Sequence, residues 1–489
     1  MNLVDFQSAH LLVLAPEFLL VILAAVVMGL DVSLPESRRR QLGLVAAVGM
    51  FAAMALALIF SFPNGDNALL FGGMIRNDLL SFVFRMIFMF AGAITSLISM
   101  DVEGLGRRGE FYALLIASVF GMNFMAASAD LVMLYLSLET TSIGLYVLAG
   151  FLRDNDKSAE AGLKYFLFGA FTATVMLYGF SLLFGYTGQT NLYAIAAAIQ
   201  NGSVPPFITV VASVLIIVGV GFKVAIVPFH FWTPDVYEGA PTPVTAFLSV
   251  ASKSAGFAVL MRVFVAGFQG MALRMPSTSW LPMLMAISAV TMTLGNLLAL
   301  KQNNIKRMLA YSSIAHAGYA LMGVVAFSQE GVAAALFYLI GYVVTNLAAF
   351  AVVILFARVS GSDEIADYAG LSRRSPPLAL AMLVAFLSLG GMPPLAGFIN
   401  KFFVFAAAMR SDLTWLVVVG ALNSIVGLYY YLIVLKWVWV KPAPEGASPI
   451  PVPRPYVFAL SLLCFAIIFV GVVAAPWLDW AAQAAASLF

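Results

Sequence analysis

The chain has 489 residues, of which 62% are hydrophobic and only 10% are charged, and its formal net charge is +2. Soluble globular chains carry about 25% charged residues, so this composition excludes an ordinary soluble domain, and the near-neutral balance argues against nucleic acid as a partner. The single cysteine, Cys464, excludes an internal disulfide and a cysteine-rich metal site, and three dispersed histidines argue against a histidine-based metal site.

The sequence has neither a phosphate-binding glycine loop nor a dinucleotide fingerprint, so we expect no cofactor in this chain. Any redox or nucleotide chemistry would then belong to other proteins. The first ten residues include Asp5 and no Lys or Arg, whereas a cleavable signal peptide needs a basic start. We therefore expect the first apolar run to remain in the protein as a helix.

Long apolar runs make up most of the chain. A helix needs about 20 mostly apolar residues to cross the roughly 30 Å of hydrocarbon in a bilayer. The sequence therefore predicts an all-α polytopic membrane protein. Fourteen runs meet the requirement and are numbered here as spans 1 to 14: 11–30, 42–62, 78–100, 110–128, 130–150, 161–186, 208–231, 243–268, 279–300, 305–327, 331–357, 377–409, 413–440 and 456–476.

Basic residues in the loops lie almost entirely on one side of the predicted membrane. Fifteen Lys and Arg residues fall in loops that follow odd-numbered spans, and only Arg76, Arg274 and Arg410 fall in the other loops. The positive-inside rule assigns the rich side to the cytoplasm. With an even number of spans, both termini are then expected in the periplasm of a bacterial inner membrane.

Spans 7 and 12 carry helix breakers close to a lysine. In span 7, Gly221 precedes Lys223 and Pro228 follows it; in span 12, the sequence GGMPP at 390–394 precedes Lys401. Proline removes a backbone donor and clashes with the preceding turn. Such a break persists in a membrane only where protein or water satisfies the freed backbone groups, which is typical of an ion pathway. The alternative is an ordinary proline kink in a transmembrane helix.

The two broken spans occupy equivalent places in two five-helix units. Span 7 is fourth in the set 4–8, span 12 is fourth in the set 9–13, and the two sets start from opposite faces, so the repeat is inverted. We predict two half-channels that meet at the membrane midplane. The predicted parts are 1–109 with spans 1 to 3, 110–268 with the first unit, 269–441 with the inverted second unit, and 442–489 with span 14 and the C-terminus.

Glu139, Lys223, Lys253 and Lys401 lie well inside their spans. A charge at the bilayer centre costs about 2.5–3.5 kcal/mol, so ionisable residues there indicate function. Burial disfavours a charged lysine and a nearby carboxylate favours it, so a change in the separation of Glu139 and Lys223 would load or unload one proton. Lys253 is the expected relay partner and Lys401 the expected exit group. The alternatives are a protonated glutamate bonded to a neighbouring helix, and lysines held by carbonyls at helix breaks.

Four further residues are candidates for the same path. His230 follows the break in span 7 and His316 lies in span 10, and a neutral imidazole can pass protons. A lone histidine in a bundle is as often a packing hydrogen-bond donor, so both interpretations stay open. Glu160 and Lys164 have the i,i+4 spacing of a stabilising helix pair and are also candidates for proton uptake at the cytoplasmic face.

Four blocks of sequence resemble subunit N of bacterial respiratory complex I, the NADH:quinone oxidoreductase. They are SAEAGLKYF at 158–166, VPFHFWTPDVYEGAPTP at 227–243, NIKRMLAYSSIAHAGY at 304–319 and PPLAGF at 393–398. The resemblance covers nearly the whole chain and is strongest from about 130 to 410. Asn400 departs from it, since glycine is expected before the lysine.

The resemblance implies an antiporter-like, proton-pumping fold in which Glu139, Lys223, Lys253 and Lys401 match the family's glutamate of helix 5 and lysines of helices 7, 8 and 12. It implies translocation from cytoplasm to periplasm, coupled to NADH oxidation and quinone reduction in subunits that hold the flavin, iron–sulfur clusters and quinone. The expected partners are the lipid bilayer, subunit M, the small subunits K and J, and the lateral helix of subunit L. Two other functions stay open: a subunit of a sodium/proton antiporter and a non-pumping scaffold of the membrane arm.

Overall fold

The computed structural model describes residues 8–63 and 68–489, so Asp5 lies outside the described residues. Nearly all of the described chain is helical. The α-helices are α1 Ser8–Val13, α2 Ala15–Ser33, α3 Gln41–Leu56, α4 Leu79–Ser99, α5 Gly109–Ala127, α6 Leu131–Ala149, α7 Asp156–Thr187, α8 Leu192–Gln200, α9 Pro206–Val224, α10 Trp232–Gly239, α11 Thr242–Phe247, α12 Lys253–Leu260, α13 Gln269–Arg274, α14 Trp280–Ala299, α15 Ile305–Val325, α16 Gln329–Ser360, α17 Leu371–Arg374, α18 Pro376–Gly390, α19 Ala396–Arg410, α20 Thr414–Trp439, α21 Arg454–Val472 and α22 Ala475–Ala486.

The predicted fourteen-span architecture is confirmed. In the described residues, thirteen helical stretches are long and apolar enough to cross a membrane. The remaining span, span 12, consists of the two shorter helices α18 and α19. Most boundaries agree with the sequence to within a few residues, but span 7 was predicted to continue to residue 231 and α9 ends at Val224. Ala225 takes a left-handed conformation there, with φ of 62°, and this ends the helix before Pro228.

Loops that were predicted to share the basic face do lie together. Ion pairs join the loops that follow spans 1, 3, 5, 7, 9 and 11. These pairs are Arg40–Asp101, Arg358–Asp101, Lys157–Glu238, Arg307–Glu238 and Lys306–Asp363. On the opposite face, Arg410 pairs with Glu330. The alternation of loops between two faces therefore follows the sequence prediction.

The centre of the bundle is formed by spans 3, 8, 10 and 11, which are buried over almost their whole length. Span 8 runs continuously from Thr242 to Gly267, but it contains two π-helical stretches that the sequence did not predict. The first, Leu248–Ser252, ends directly before Lys253. Single π turns inside helices are rare and often occur at functional sites, because they change the direction in which the following side chains point.

Short elements fill the loops between spans, and the sequence analysis missed them. A hairpin pairs β1 (Ala68–Leu70) with β2 (Ile75–Asn77), with Ala68 opposite Asn77. The short helices α8, α10, α13 and α22 lie outside the long apolar stretches. These segments are too short to give a membrane-spanning signal, so hydropathy alone could not find them.

Candidate functional site

Lys253 lies in the centre of the bundle and is only 2% exposed. Its Nζ donates hydrogen bonds to the carbonyl and hydroxyl oxygens of Ser313 on α15. The hydroxyl of Tyr237 lies 3.4 Å from the same Ser313 hydroxyl. Within the described residues, no carboxylate lies within ion-pair distance of Lys253, so neutral oxygens alone hold its amine.

His316 lies one helical turn beyond Ser313 on α15. The buried polar groups around these two residues are called the polar line below, and they are Lys253, Ser313, Ser312, Tyr431, His316 and Tyr338. The Nε2 of His316 lies 3.3 Å from the hydroxyl of Tyr431, which is also bonded to Ser312, and its Nδ1 lies 2.6 Å from the hydroxyl of Tyr338. Residues three and four apart on a helix share a face, which is why α15 can bring its serines and its histidine to one line. The imidazole therefore lies between two tyrosine hydroxyls, and either ring nitrogen can carry the proton.

Lys401 lies at the break between α18 and α19 and is 6% exposed. Its Nζ donates to the carbonyls of Leu389 and Gly390, at 3.2 and 3.4 Å, and lies 5.0 Å from the centroid of the Tyr319 ring. The last carbonyls of a helix lack intrahelical partners and carry the negative end of its dipole. The broken helix thus supplies a cation-binding end inside the membrane.

A small cavity of about 10 Å³ lies between His316 and the break that holds Lys401. That volume holds about one water molecule. The Asn400 Oδ1 is buried without a hydrogen-bond partner among the described residues, so a water there would have a polar atom to bind. The cavity is lined by His316, Tyr338, Tyr342, Thr345, Ser388, Leu389, Gly397 and Asn400. Lys253 and Lys401 are both close enough to His316 for their charges to interact with its ring.

Lys223 is 4% exposed, near the end of α9, and its Nζ donates to the hydroxyl of Ser142 at 2.8 Å. Glu139 is one helical turn from Ser142 on α6 and acts electrostatically on Lys223. However, the described residues contain no ion pair between Glu139 and Lys223. The structure therefore brings the two groups into one neighbourhood, with a serine rather than the carboxylate as the hydrogen-bond partner.

Glu139 lies well inside α6, as predicted, but its side chain is only partly buried. Leu136 and Ile143 on the same face of α6 are 56% and 58% exposed. Lys223 attracts the Glu139 carboxylate, and the Tyr135 hydroxyl is within hydrogen-bonding reach of it. Glu139 therefore lies at the outer surface of this chain, whereas the three lysines lie inside it.

The neighbourhoods of Lys223 and Lys253 are in direct contact. A Cβ built on Gly256, one turn beyond Lys253, would lie 3.3 Å from the Cβ of Lys223. In this region, the buried hydroxyls of Thr233 and Ser254 have no hydrogen-bond partner among the described residues. Buried hydroxyls are nearly always hydrogen-bonded, so ordered water is the expected partner here.

His230 lies beside the break after α9 and makes no hydrogen bond to any of the three lysines in the described residues. The centroid of its ring lies 4.6 Å from that of Phe231, and the two ring planes are tilted by 32°. The freed backbone groups at this break are satisfied by other side chains. Trp232 Nε1 donates to the Phe222 carbonyl at 3.0 Å, and the Val227 amide donates to the Thr291 hydroxyl at 3.0 Å.

Glu160 and Lys164 form the predicted pair at 2.7 Å, on the basic face of the molecule. Lys164 also bonds Asp235 on α10 at 2.6 Å, and Arg307 on α15 bonds both Asp235 and Glu238. Burial would raise the pKa of Asp235, but the hydrogen bonds from Lys164 and Arg307 outweigh it and hold that pKa below its usual value. This cluster is separate from the buried lysines.

Several buried polar residues of the site were missed from the sequence. Ser142, Tyr338 and Tyr431 were not predicted, and Asn400 was noted only as a departure from the family pattern. The available signal was a hydroxyl or amide inside an otherwise apolar span. In the described residues, no group of three or more His, Cys, Asp or Glu side chains could hold a metal ion.

Residues 128–427 match the family model described as NADH:quinone oxidoreductase/Mrp antiporter, transmembrane. A relative named NADH-quinone oxidoreductase subunit N from Moorella thermoacetica is 44% identical over 88% of each chain. Another subunit N, from an Anaeromyxobacter species, is 42% identical and covers all of this chain and 98% of its own.

Solved structures agree with these matches. A chain of respiratory complex I from Thermus thermophilus is 33% identical, with a TM-score of 0.78 over 95% of this chain and 98% of that one. A chain of the Mrp complex from a Dietzia species superimposes with a TM-score of 0.86 over 98% of this chain and 97% of its own, but at 20% identity it shows the fold alone.

Proposed function

This chain belongs to the subunit N family of NADH:quinone oxidoreductase, the proton-translocating antiporter-like subunits of the membrane arm of complex I, and we propose that Lys223, Lys253, His316 and Lys401 carry its protons. The oxidoreductase activity is that of the whole complex, and this chain contributes translocation. Its partners are other complex I subunits, and it is a membrane protein of the respiratory complex.

The residue assignment is carried by two hydrogen-bonded groups that α15 places next to each other. Lys253, in the first unit, bonds Ser313, and the next turn of α15 carries His316, whose ring lies between the hydroxyls of Tyr431 and Tyr338 in the second unit. Hydroxyls and a neutral imidazole both donate and accept, so each can pass a proton to the next group. A purely structural bundle has no need of such buried polar groups between Lys253 and the break that holds Lys401.

The electrostatics support a charge switch between Glu139 and Lys223. Glu139 acts on Lys223 without being bonded to it, so a change in its charge or position changes the energy of a proton on that amine. On insertion scales, placing a charged side chain at the membrane centre costs about 2.5–3.5 kcal/mol. Moving one charge against about 150 mV costs about 3.5 kcal/mol, which is of the same size. The energy change from switching one buried charge is therefore large enough to move one proton across the membrane.

The half-exposed position of Glu139 supports a neighbouring subunit at that surface, since a carboxylate facing lipid is costly. We assign this neighbourhood to the antiporter-like subunit M or the small subunits K and J, with the lateral helix of subunit L elsewhere on the chain. The flavin, iron–sulfur clusters and quinone belong to partner subunits. The basic face is cytoplasmic by the positive-inside rule, which places both termini in the periplasm of the inner membrane.

The test is coupled NADH oxidation and proton pumping in membranes with assembled complex carrying Lys253→Met, Lys223→Met or Lys401→Met. We expect both rates to fall about tenfold, the factor that corresponds to about 1.4 kcal/mol in the barrier. Lys436→Met is the matched control, because Lys436 also lies within a membrane helix but is exposed. A scaffold role would leave pumping intact in all variants, and a sodium antiporter would show sodium-dependent flux without NADH.

A further inference from the structure

An apolar groove lies on the outer surface of the bundle, away from the polar line. It has a volume of about 720 Å³ and runs between α3, the end of α4 and the start of α21. Leu44 and Val48 of α3 and Phe458 of α21 line it and are 49%, 58% and 55% exposed. Ala47, Phe51 and Leu97 complete its apolar wall. The groove is therefore open toward the surrounding membrane.

The groove starts at the basic face and reaches a limited depth. Arg40 directly precedes α3, and Arg454 is the first residue of α21, so both guanidinium groups lie at the mouth. From Leu44 to Phe51, α3 makes two turns, which corresponds to about 10 Å along its axis. The whole hydrocarbon core is about 30 Å thick, so the groove spans the headgroup boundary and the upper part of the acyl chains in one leaflet.

The mouth of the groove carries positive charge and no acidic lining residue. Arg40 donates two hydrogen bonds to Asp101, at 2.7 and 3.0 Å, so its charge is largely balanced. Arg454 is exposed and makes no ion pair within the described part of the chain. A guanidinium binds phosphate oxygens through its fixed fork of N–H donors. An uncompensated cation above an apolar channel is complementary to an anionic headgroup with an acyl chain.

We propose that this groove binds an anionic phospholipid, with its phosphate at Arg454 and Arg40 and one acyl chain along Leu44, Val48 and Phe458. A transmembrane helix of a neighbouring subunit would fill the apolar part, but it would need an acidic side chain at the headgroup level to balance Arg454. A phospholipid supplies both features in every copy. This site does not depend on the proton line, because none of its residues contacts the buried lysines.

The experiment uses the purified, delipidated complex titrated with phosphatidylglycerol or, separately, phosphatidylcholine, with bound lipid counted by native mass spectrometry. We expect Arg454→Gln to bind one phosphatidylglycerol fewer per complex under limiting lipid. The apparent affinity of the groove for this lipid should fall about fivefold, the factor for about 1 kcal/mol per basic residue near the membrane surface. Arg153→Gln is the charge-matched control, since Arg153 is exposed on the same face but lies outside the groove. Val48→Trp, which fills the groove from its exposed side, should displace the same lipid.

Three results would overturn the lipid site. One is equal retention of phosphatidylglycerol in Arg454→Gln and in the unmodified complex. Another is equal binding of phosphatidylcholine, because the headgroup charge would then be irrelevant. The third is efficient cross-linking of Val48→Cys to a neighbouring subunit, which would identify a protein helix as the occupant.

Discussion

The three membrane lysines are held by three different sets of uncharged groups. Lys223 bonds a serine hydroxyl, Lys253 bonds both oxygens of a second serine, and Lys401 bonds the free carbonyls at a helix end. By contrast, the buried Arg262 forms a bidentate pair with Asp78 and stays charged. A lysine held by neutral oxygens can lose its proton without leaving a buried carboxylate unpaired, which suits a carrier of protons.

The contact between Ser142 and Lys223 can be tested directly. Ser142→Ala removes the hydroxyl that accepts from Lys223, so we expect slower coupled NADH oxidation and proton pumping, with a smaller loss than in Lys223→Met. Ser142→Thr keeps a hydroxyl and should restore much of the activity, a rescue that a packing defect would not show. Thr140→Ala is the control on the same helix, because Thr140 is exposed and bonds only its own helix. Equal activity of Ser142→Ala and Thr140→Ala would refute the role of Ser142.

Among the elements, the broken span 12 depends on very close packing around Ser388. The Ser388 hydroxyl accepts from the Gly397 amide at 3.0 Å and lies 3.1 Å from the Thr345 hydroxyl, so it connects α18, α19 and α16. Gly391, with φ of 84°, ends α18 in a conformation that favours glycine. This geometry leaves the Leu389 and Gly390 carbonyls free to accept from Lys401.

Gly397→Ala tests this packing. A Cβ there would lie 1.7 Å from the Ser388 carbonyl oxygen, which is backbone and cannot swing away, so α19 must shift relative to α18. We expect a lower thermal stability of the assembled complex and reduced pumping, measured by thermal disassembly and by the coupled assay. Gly185→Ala is the control, since no atom lies within 4 Å of its added Cβ, and it should be neutral or slightly stabilising. Matching stabilities for the two variants would contradict this account of the break.

Across the whole molecule, the charge cluster on the basic face joins the two five-helix units. Asp235 and Glu238 of α10 both bond Arg307 of α15, and Lys157 and Lys164 of α7 bond the same two carboxylates. Burial opposes ionisation of Asp235 and Glu238, yet their pKa values are held below the usual range by the surrounding lysine and arginine side chains. The cluster therefore favours the assembled arrangement only while its carboxylates are ionised.

A pH dependence follows from these lowered pKa values. A carboxyl group whose pKa is lower in the folded state adds stability above its unfolded pKa, near 4 for Asp, and loses that contribution as the pH falls further. We expect Asp235→Asn to lower the disassembly temperature at pH 7 and to weaken its decline below about pH 4. Asp154→Asn, an exposed change outside this cluster, is the control. A pH profile for Asp235→Asn that parallels the unmodified complex would contradict the role of the cluster.

The sequence by itself determined the number of spans, their alternation between two faces, the two breaks and the three membrane lysines. These features follow from local properties, because hydropathy over about 20 residues, prolines and loop charges each act within one segment. The positions of Lys253 and Lys401 inside their spans could be predicted in the same way.

Only the tertiary structure decided which groups touch those lysines. Ser142, Tyr338 and Tyr431 come from distant segments, and the π turn before Lys253 has no clear signature in hydropathy. The outward position of Glu139 and the groove beside Arg454 were equally invisible, because burial depends on which faces of α6, α3 and α21 meet other helices. Contacts between helices depend on packing among side chains far apart in the chain, and no local pattern encodes that packing.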